Sequence, residues 1–486
     1  MKLSNRWMPG MALIVIVLAI AIMIPAIVTG QQGGRGGQGP GGQGQGPGGG
    51  GGGRGGQQAP PANLPQTPTA VTLPTVSAQV TGPGAMYESV QSLAPGKGLA
   101  NFKYEAREYF ISGTANGQPY KTRIVVRRPT SDATFNGLVL VEPMHPSGSA
   151  HMFEFTSVYG MSTGYIAVEI VAGGIQGVID FNKERYKDFA VQGAQTSEII
   201  AQVGALIKSK QSGNPLSALA VRKIVLGGTS ATAGTLIQYL PAHAVYRTPD
   251  MQRIFDGFFP TSNGAQIAQT DVPMIHVPTM LEVRQATITS RQDGDEAGNQ
   301  YRVYEFPGMG HIDSRDNDRL HPNPCKNPNS NFLTQAYMSV AFHHLVQWVD
   351  KGIVPPKADR IWKDRNEAND GSSMLLDENG NPRGGVRNTY VDVPIAKYST
   401  PNEGAVPLIA NPSAYVAARG QAAANQMCGL AAYQIDLTKA QLKQLYGNPK
   451  TYRSRVEKRL VELEKAGWSL PVYREMILAD AAKIEF

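Results

Sequence analysis

The chain has 486 residues, 41% hydrophobic and 17% charged, with 54 glycines, 34 prolines and two cysteines. That hydrophobic share excludes a wholly disordered chain, and two cysteines exclude a scaffold built on disulfides. The net charge of +7 is partly local: Lys2, Arg6, Arg35 and Arg54 precede any acid, and the other 41 of the 45 bases nearly balance 38 acids, which excludes the basic footprint of a nucleic-acid binder.

Lys2 and Arg6 precede an unbroken apolar run of fourteen residues, Met11 to Ile24, followed by Pro25 and the small residues Val28-Thr29-Gly30. Residues 1–30 are expected to be a secretory signal peptide or, with the run extended to Val28, an uncleaved signal anchor. No cysteine follows the run and no arginine pair precedes it, against a lipoprotein or twin-arginine signal. A periplasmic or extracellular location is expected, with membrane contact only if the signal stays uncleaved. Eighteen of the glycines lie between Gly30 and Gly56, and residues 31–83 read as a Gly/Gln/Pro-rich flexible linker that cannot bury a core.

Beyond it the chain alternates strands and helices. Tyr104–Ser112 and Tyr120–Arg128 are expected to pair about a turn at Asn116-Gly117. Leu138–Glu142 and Tyr165–Val171 are short apolar runs, as in strands covered on both faces. Thr196–Lys208 has helical spacing through Ile199, Ile200, Val203 and Leu206. Val221–Leu226 reads as a strand and Ala231–Leu240 as a helix. Met274–Val277 and Arg302–Phe306 are further strands, and Asn331–Asp350 is an amphipathic helix. This order predicts an α/β fold with a mostly parallel, doubly wound sheet.

Two serines compete as nucleophile. Gly160-Met161-Ser162-Thr163-Gly164 fits the Gly-x-Ser-x-Gly pattern, but Ser162 stands between a predicted helix and the strand that follows it. A nucleophilic serine needs the reverse order, a tight strand-to-helix turn that projects its hydroxyl and aims a helix amino terminus at the oxyanion. Ser230, in Gly227-Gly228-Thr229-Ser230-Ala231-Thr232-Ala233-Gly234, has that setting, although Thr232 takes the position usually held by glycine. The acid and histidine should follow later strands in that order. Glu282 follows Met274–Val277, with Asp293 and Asp295 as alternatives in what reads as an exposed turn. His311 ends the strand and glycine turn of Tyr301–Gly310, placed to take the serine proton and return it to the leaving group. The backbone amides of Ala231 and Met144 are the candidates for the oxyanion hole. His145 and His151 flank the loop after Leu138–Glu142, His276 reads as packed core, and His343 and His344 as structural. His311, Asp313, Asp316, Asp318 and His321 match no standard metal spacing and read as a polar loop. No cofactor or metal is expected.

These segments resemble the α/β-hydrolase superfamily, and more closely the bacterial group called alpha/beta hydrolase domain-containing protein, many members of which are exported. That group shows Gly-x-Ser-Gln-Ser/Thr-Gly at the elbow. Here Ala231 replaces the glutamine and Ala233 the glycine, with Gly234 one place on. Its later Pro-Cys-x-Asn-Pro-Asn stretch is similar to Pro324–Asn329, and its Trp-Val-x-x-Gly-x-x-Pro-Pro ending to Trp348–Pro356. The resemblance covers about Tyr104 to Pro356, extends weakly to the carboxyl terminus, and implies hydrolysis of an ester.

The expected layout is a catalytic domain over 84–365 and a loop-rich, then helical extension over 366–486. Helices are expected at Leu437–Tyr446, capped by Asp436, and at Tyr452–Ala466, with an apolar stripe of Val456, Leu460 and Leu463. Cys325 and Cys428 are candidates for one disulfide. The expected activity is hydrolysis of a small carboxylic ester by a Ser230–His311–Glu282 triad. The alternatives are an amidase or peptidase with the same triad, or a binding protein that keeps the fold with a decayed site.

Overall fold

The computed structural model describes residues 64–284, 291–364 and 373–486. The expected export signal and the glycine-rich tether lie outside the described residues. The stretch 64–83, expected to belong to the flexible linker, lies instead against the body. Thr69–Ala70 pairs with Tyr246–Arg247, Thr75–Val76 joins the main sheet, and Val71 between them is buried.

Nine strands of the described residues form that sheet: β1 (Thr75–Val76), β2 (Tyr104–Ala115), β3 (Gln118–Pro129), β4 (Leu138–Pro143), β5 (Ile166–Ile170), β6 (Lys223–Thr229), β7 (Gly257–Thr261), β8 (Met274–His276) and β9 (Tyr301–Val303). The spatial order is β9-β8-β7-β6-β4-β5-β3-β2-β1. Every neighbouring pair from β9 to β5 is parallel, and the remaining pairs are antiparallel. The β2–β3 hairpin turns at Asn116 and Gly117, both with positive φ, as a two-residue hairpin requires.

The apolar runs become central strands because both faces of the sheet are covered. Leu138 and Leu140 of β4 enter one core, together with α1 (His151–Thr163) and α5 (Thr334–Lys351). Val139 and Val141 point the other way, into a second core with α2 (Thr196–Lys208) and α3 (Ala231–Val245). Strand alternation thus divides four consecutive apolar residues between two layers. At the antiparallel side a buried ionic cluster replaces apolar packing. Arg123 donates to Glu108 and Glu169, Arg127 to Glu169, and Arg185 to Glu108.

Several boundaries differ from expectation. β9 stops at Val303, where Tyr304 N makes its last bond to the neighbouring strand at His276 O and Tyr304 and Phe306 enter the first core, and α5 begins at Thr334 rather than Asn331. The expected Leu437–Tyr446 helix starts at Lys439, and its cap is Thr438, not Asp436. Thr438 Oγ1 accepts from Gln441 N while Gln441 Oε1 accepts from Thr438 N, a reciprocal capping box.

The carboxyl-terminal extension is built into the same body. Val456 and Leu460 of the helix Pro449–Lys465 join Tyr337 and Val340 of α5 in the first core. Cys325 and Cys428 are bonded, with Cα atoms 5.6 Å apart. Among the described residues no helix is long and apolar enough to cross a membrane.

Candidate active site

β6 ends at Thr229 and α3 starts at Ala231, so Ser230 alone makes the turn between them. Its φ of 54° and ψ of −117° form a strained conformation for a residue with a side chain. The turn lies at the carboxyl ends of adjacent β4 and β6. There the crossovers diverge, β5 to one side of β4 and β6 to the other, the usual crevice of an open α/β sheet. Gly228 is required: a Cβ there would stand 2.4 Å from Thr232 O and 2.6 Å from Thr232 C. Both are backbone atoms, so Gly228→Ala is expected to cost about 1–3 kcal/mol and to displace Ser230. Thermal denaturation and turnover measured on that variant check this, and an unchanged midpoint would refute the crowding. Thr232 is accommodated because its hydroxyl accepts from Thr229 N and donates to Thr229 O, both at 2.9 Å. Gly234 does not stand in for the missing elbow glycine, since a Cβ there meets only Asn263 Nδ2 at 4.0 Å.

The structure brings Ser230, His311 and Glu282 into one line. Ser230 Oγ lies 2.8 Å from His311 Nε2, and His311 Nδ1 lies 2.5 Å from Glu282 Oε1. Glu282 sits in α4 (Met280–Arg284), directly after β8, and its Oε2 accepts from Thr279 N at 2.8 Å and Thr279 Oγ1 at 2.6 Å. Burial by itself would raise the Glu282 pKa, but the His311 and Thr279 donors bring it below the usual carboxylate value. An ionised Glu282 leaves Nδ1 as the protonated nitrogen and Nε2 free to accept the serine proton.

His311 is reached through a tight turn. Gly308 has φ of 99°, and a Cβ on Gly310 would stand 2.8 Å from Ala432 N. The segment Leu430–Ala432 of the extension therefore forms one wall of this loop. Ile312 N donates to Leu430 O, and Ser314 Oγ donates to Ala432 O. Ser262 Oγ donates to His311 O at 3.1 Å, and Asn263 Nδ2 to Ser230 O at 3.2 Å. Thr279, Ser262 and Asn263 carry no motif in the sequence that marks them as supports.

The oxyanion side differs from expectation. The Ala231 amide, at the start of α3, is among the first-turn donors that a helix leaves unpaired. The Met144 amide is not available: the sheet continues past Pro143, and Met144 N donates to Ile170 O at 2.8 Å. Met144 is thus excluded as a backbone donor.

The other sequence candidates have separate roles. Ser162 lies in the last turn of α1 and donates to Tyr159 O, with Gly164 as a left-handed C-cap. His276 is fully buried between Asn263 O and the Tyr301 hydroxyl, and burial lowers its pKa to about 4. His343 contacts the Tyr159 hydroxyl and His344 donates to Gly467 O. Asp293 and Asp295 pair with Arg360 and with Arg302 and Lys357, away from the imidazole. In the loop after His311, Asp313 accepts from Arg315 N and His321 Nε2 donates to Ser314 O. Among the described residues no three His, Cys, Asp or Glu side chains converge as a metal site.

The order strand, serine elbow, helix, then acid and histidine after later strands, can be compared with known proteins. The model of one family, described as alpha/beta hydrolase domain, matches residues 65–479. The chain belongs to that family. The match takes in the carboxyl-terminal extension together with the sheet, so in this alpha/beta hydrolase both are parts of the family's domain. Among solved structures it is similar to a cold-adapted esterase from an Arctic intertidal metagenomic library, at 12% identity over 36% of this chain and 71% of that one (TM-score 0.22). It is also similar to the LpqC poly(3-hydroxybutyrate) depolymerase from Bordetella parapertussis, at 13% identity over 52% and 91% of the two chains (TM-score 0.30). Esterase Est22 is similar at 9% identity over 36% and 64% (TM-score 0.27). No curated protein matches the sequence.

Proposed function

We propose that this alpha/beta hydrolase is an exported serine esterase that cleaves a small carboxylic ester through an acyl-enzyme. The observation that carries this reading is the hydrogen-bonded line Ser230–His311–Glu282 at a strained strand-to-helix turn. Ser230 Oγ attacks the carbonyl carbon as its proton passes to His311 Nε2, and the carbonyl electron pair moves onto oxygen beside the Ala231 amide. Collapse of that intermediate expels the alcohol, which takes the proton from His311. Water then repeats the sequence on the acyl-enzyme and releases the acid. Glu282 holds the imidazole and offsets its transient positive charge. Retention of backbone strain at Ser230, with Thr232 accommodated by its own hydrogen bonds, favours a working site over a decayed one. Export rests on the charged and apolar pattern of residues 1–30 and is tested by amino-terminal sequencing of the protein recovered from periplasm and medium.

The test of activity uses purified protein, short p-nitrophenyl esters and a fluorophosphonate label. Turnover and labelling at Ser230 are expected, both abolished in Ser230→Ala, with turnover lost in His311→Ala. Ser162→Ala should retain wild-type turnover. No ester turnover together with no label on Ser230 would sink the proposal, and loss in Ser162→Ala alone would reverse the choice of nucleophile.

A further inference from the structure

The loop between β4 and α1 follows the carboxyl end of a strand adjacent to the one that carries the serine, yet from Met144 to Gly148 its backbone donors are committed. In the parallel register of β4 and β6, Leu138 pairs with Lys223 and Val141 with Leu226. That ladder ends at Val141–Leu226, and His145 beyond it stands near enough to His311 to feel the charge of that imidazole. The Met144 amide donates to Ile170 O and the His145 amide to Ser149 O at 3.0 Å. Pro146 has no amide hydrogen. Ser147 N donates to His145 Nδ1 at 3.1 Å, and Gly148 N to His145 O at 2.8 Å. From 144 to 148, then, no backbone N–H remains for an oxyanion.

A side-chain donor does remain. His145 Nε2 is enclosed and has no partner in the protein. Its protonation follows from the contacts around it. Because the Ser147 amide points at Nδ1, Nδ1 is an acceptor, and the neutral ring carries its hydrogen on Nε2. One further contact agrees with this assignment. Ser147 Oγ lies 2.8 Å from His145 Nδ1, so the hydroxyl donates to it. His151, whose Nε2 lies 3.1 Å from that hydroxyl oxygen, donates through Nδ1 to Glu154 Oε2 at 2.7 Å, and Glu154 Oε1 is fixed by the amides of Gln91 and Ser92. Ser147 thus occupies His145 Nδ1 and leaves the Nε2 hydrogen as the unmet donor of that ring. Burial, with the neighbouring charges of His151, His311 and Arg319, lowers the His145 pKa to about 3. The ring therefore stays neutral, which matters because His311 must become an imidazolium during attack and a second cation nearby would oppose that.

We infer that His145 Nε2–H is the second donor of the oxyanion hole, acting with the Ala231 amide on the carbonyl oxygen of the ester. This rests on Ser230 being the nucleophile. The new C–O bond forms to Ser230 Oγ, the serine proton goes to His311, and the carbonyl electron pair moves to the oxygen that His145 and Ala231 contact. His145 gives a hydrogen bond and transfers no proton. Ser147 is a positioning residue that holds His145 in the Nε2–H form.

The test compares purified wild type, Ser230→Ala, His145→Leu, His145→Gln and Ser147→Ala on p-nitrophenyl acetate, with a thermal midpoint for each. Loss of one such donor lowers kcat by about 10²–10³-fold, and that loss is expected in His145→Leu with KM nearly unchanged. His145→Gln, which keeps an N–H, should recover most of it, and Ser147→Ala should fall between. A trifluoromethyl ketone, which adds to Ser230 and develops the oxyanion, should lose affinity in His145→Leu in step with kcat/KM. A methyl ketone of the same shape, which does not add, should bind as before. A folded His145→Leu with wild-type kcat overturns the inference. So does equal loss of kcat, thermal stability and methyl-ketone binding in both His145 variants, which would make the residue a packing element. Turnover persisting in Ser230→Ala would overturn the nucleophile and the inference with it. A silent Ser230→Ala beside a fully active His145→Leu would overturn the inference alone.

Discussion

Glu282→Gln should lower kcat for a short ester by about 10⁴-fold while the protein remains folded, and Ser230→Ala should lower it by roughly 10⁶-fold. The glutamine effect follows from counting donors. Glu282 Oε1 faces His311 Nδ1, and Oε2 faces two donors on Thr279, its amide and its hydroxyl. A glutamine has one acceptor oxygen and one NH₂ for those two places. With the oxygen on Thr279, where two donors converge, the NH₂ faces His311 Nδ1 and forces that nitrogen to accept. The ring hydrogen then moves to Nε2, and His311 can no longer take the Ser230 proton. The opposite orientation sets an NH₂ against the Thr279 amide and leaves a buried donor unmet, at about 1–3 kcal/mol. Steady-state kinetics with a thermal midpoint check the expectation. Activity within tenfold of wild type would show that Glu282 does not set the tautomer. Glu282→Asp, which keeps the charge but shortens the reach, should fall between the two.

Much of the candidate site is legible because its signals are local. A β-strand ending in Gly228-Thr229, one residue of turn and a helix from Ala231 can be read from the order of residue types. That order mattered more than the Gly-x-Ser-x-Gly pattern, which marks a helix C-cap at Ser162–Gly164. Glu282 and His311 likewise stand out by their place after an apolar strand. What was not legible depends on contacts across the chain. Whether Met144 offers its amide is decided by one more rung of the β4–β5 ladder, and no residue type marks where a parallel ladder stops. The unmet hydrogen on His145 is set by the Ser147 amide and hydroxyl and by the burial of the loop, none of which spacing reveals. The Thr438 cap is different: a Thr-x-x-Gln signal was present, and it outranks the nearby Asp436 because both halves of the box are satisfied. Residues 64–83 pack through Val71 despite a composition that suggests a tether, since a few apolar residues suffice once a sheet edge accepts them.

Replacing both Cys325 and Cys428 by serine is expected to lower stability by about 2–5 kcal/mol and to reduce ester turnover several-fold below the unfolding temperature. The bond closes a loop of 103 residues. In the chain-entropy account a loop near that length is worth up to about 4.7 kcal/mol, taken from the unfolded chain. The effect on turnover has a separate origin in the folded protein. Cys428 lies at the end of the helix Gly420–Leu430, and the next residues form the wall against which His311 is held. Ile312 bridges Ala431 in parallel, Ser330 N and Ser314 Oγ donate to Ala432 O, and Ala432 leaves no room for a Cβ at Gly310. Cys325 sits on the other partner, the loop that follows the histidine. The bond therefore clamps the extension, a few residues before Leu430–Ala432, to the loop that follows His311. Without it, that wall keeps only its hydrogen bonds and the small apolar cluster of Leu320, Met427 and Ala431. Loosening would show as a lower kcat, because Nε2 must stay within hydrogen-bond reach of Ser230 Oγ and small misplacements of a catalytic group are costly. Chemical denaturation and kinetics on the double variant separate the two effects. Lower stability with unchanged kcat would confine the bond to the unfolded state, while loss of both would give the extension a direct part in aligning the site.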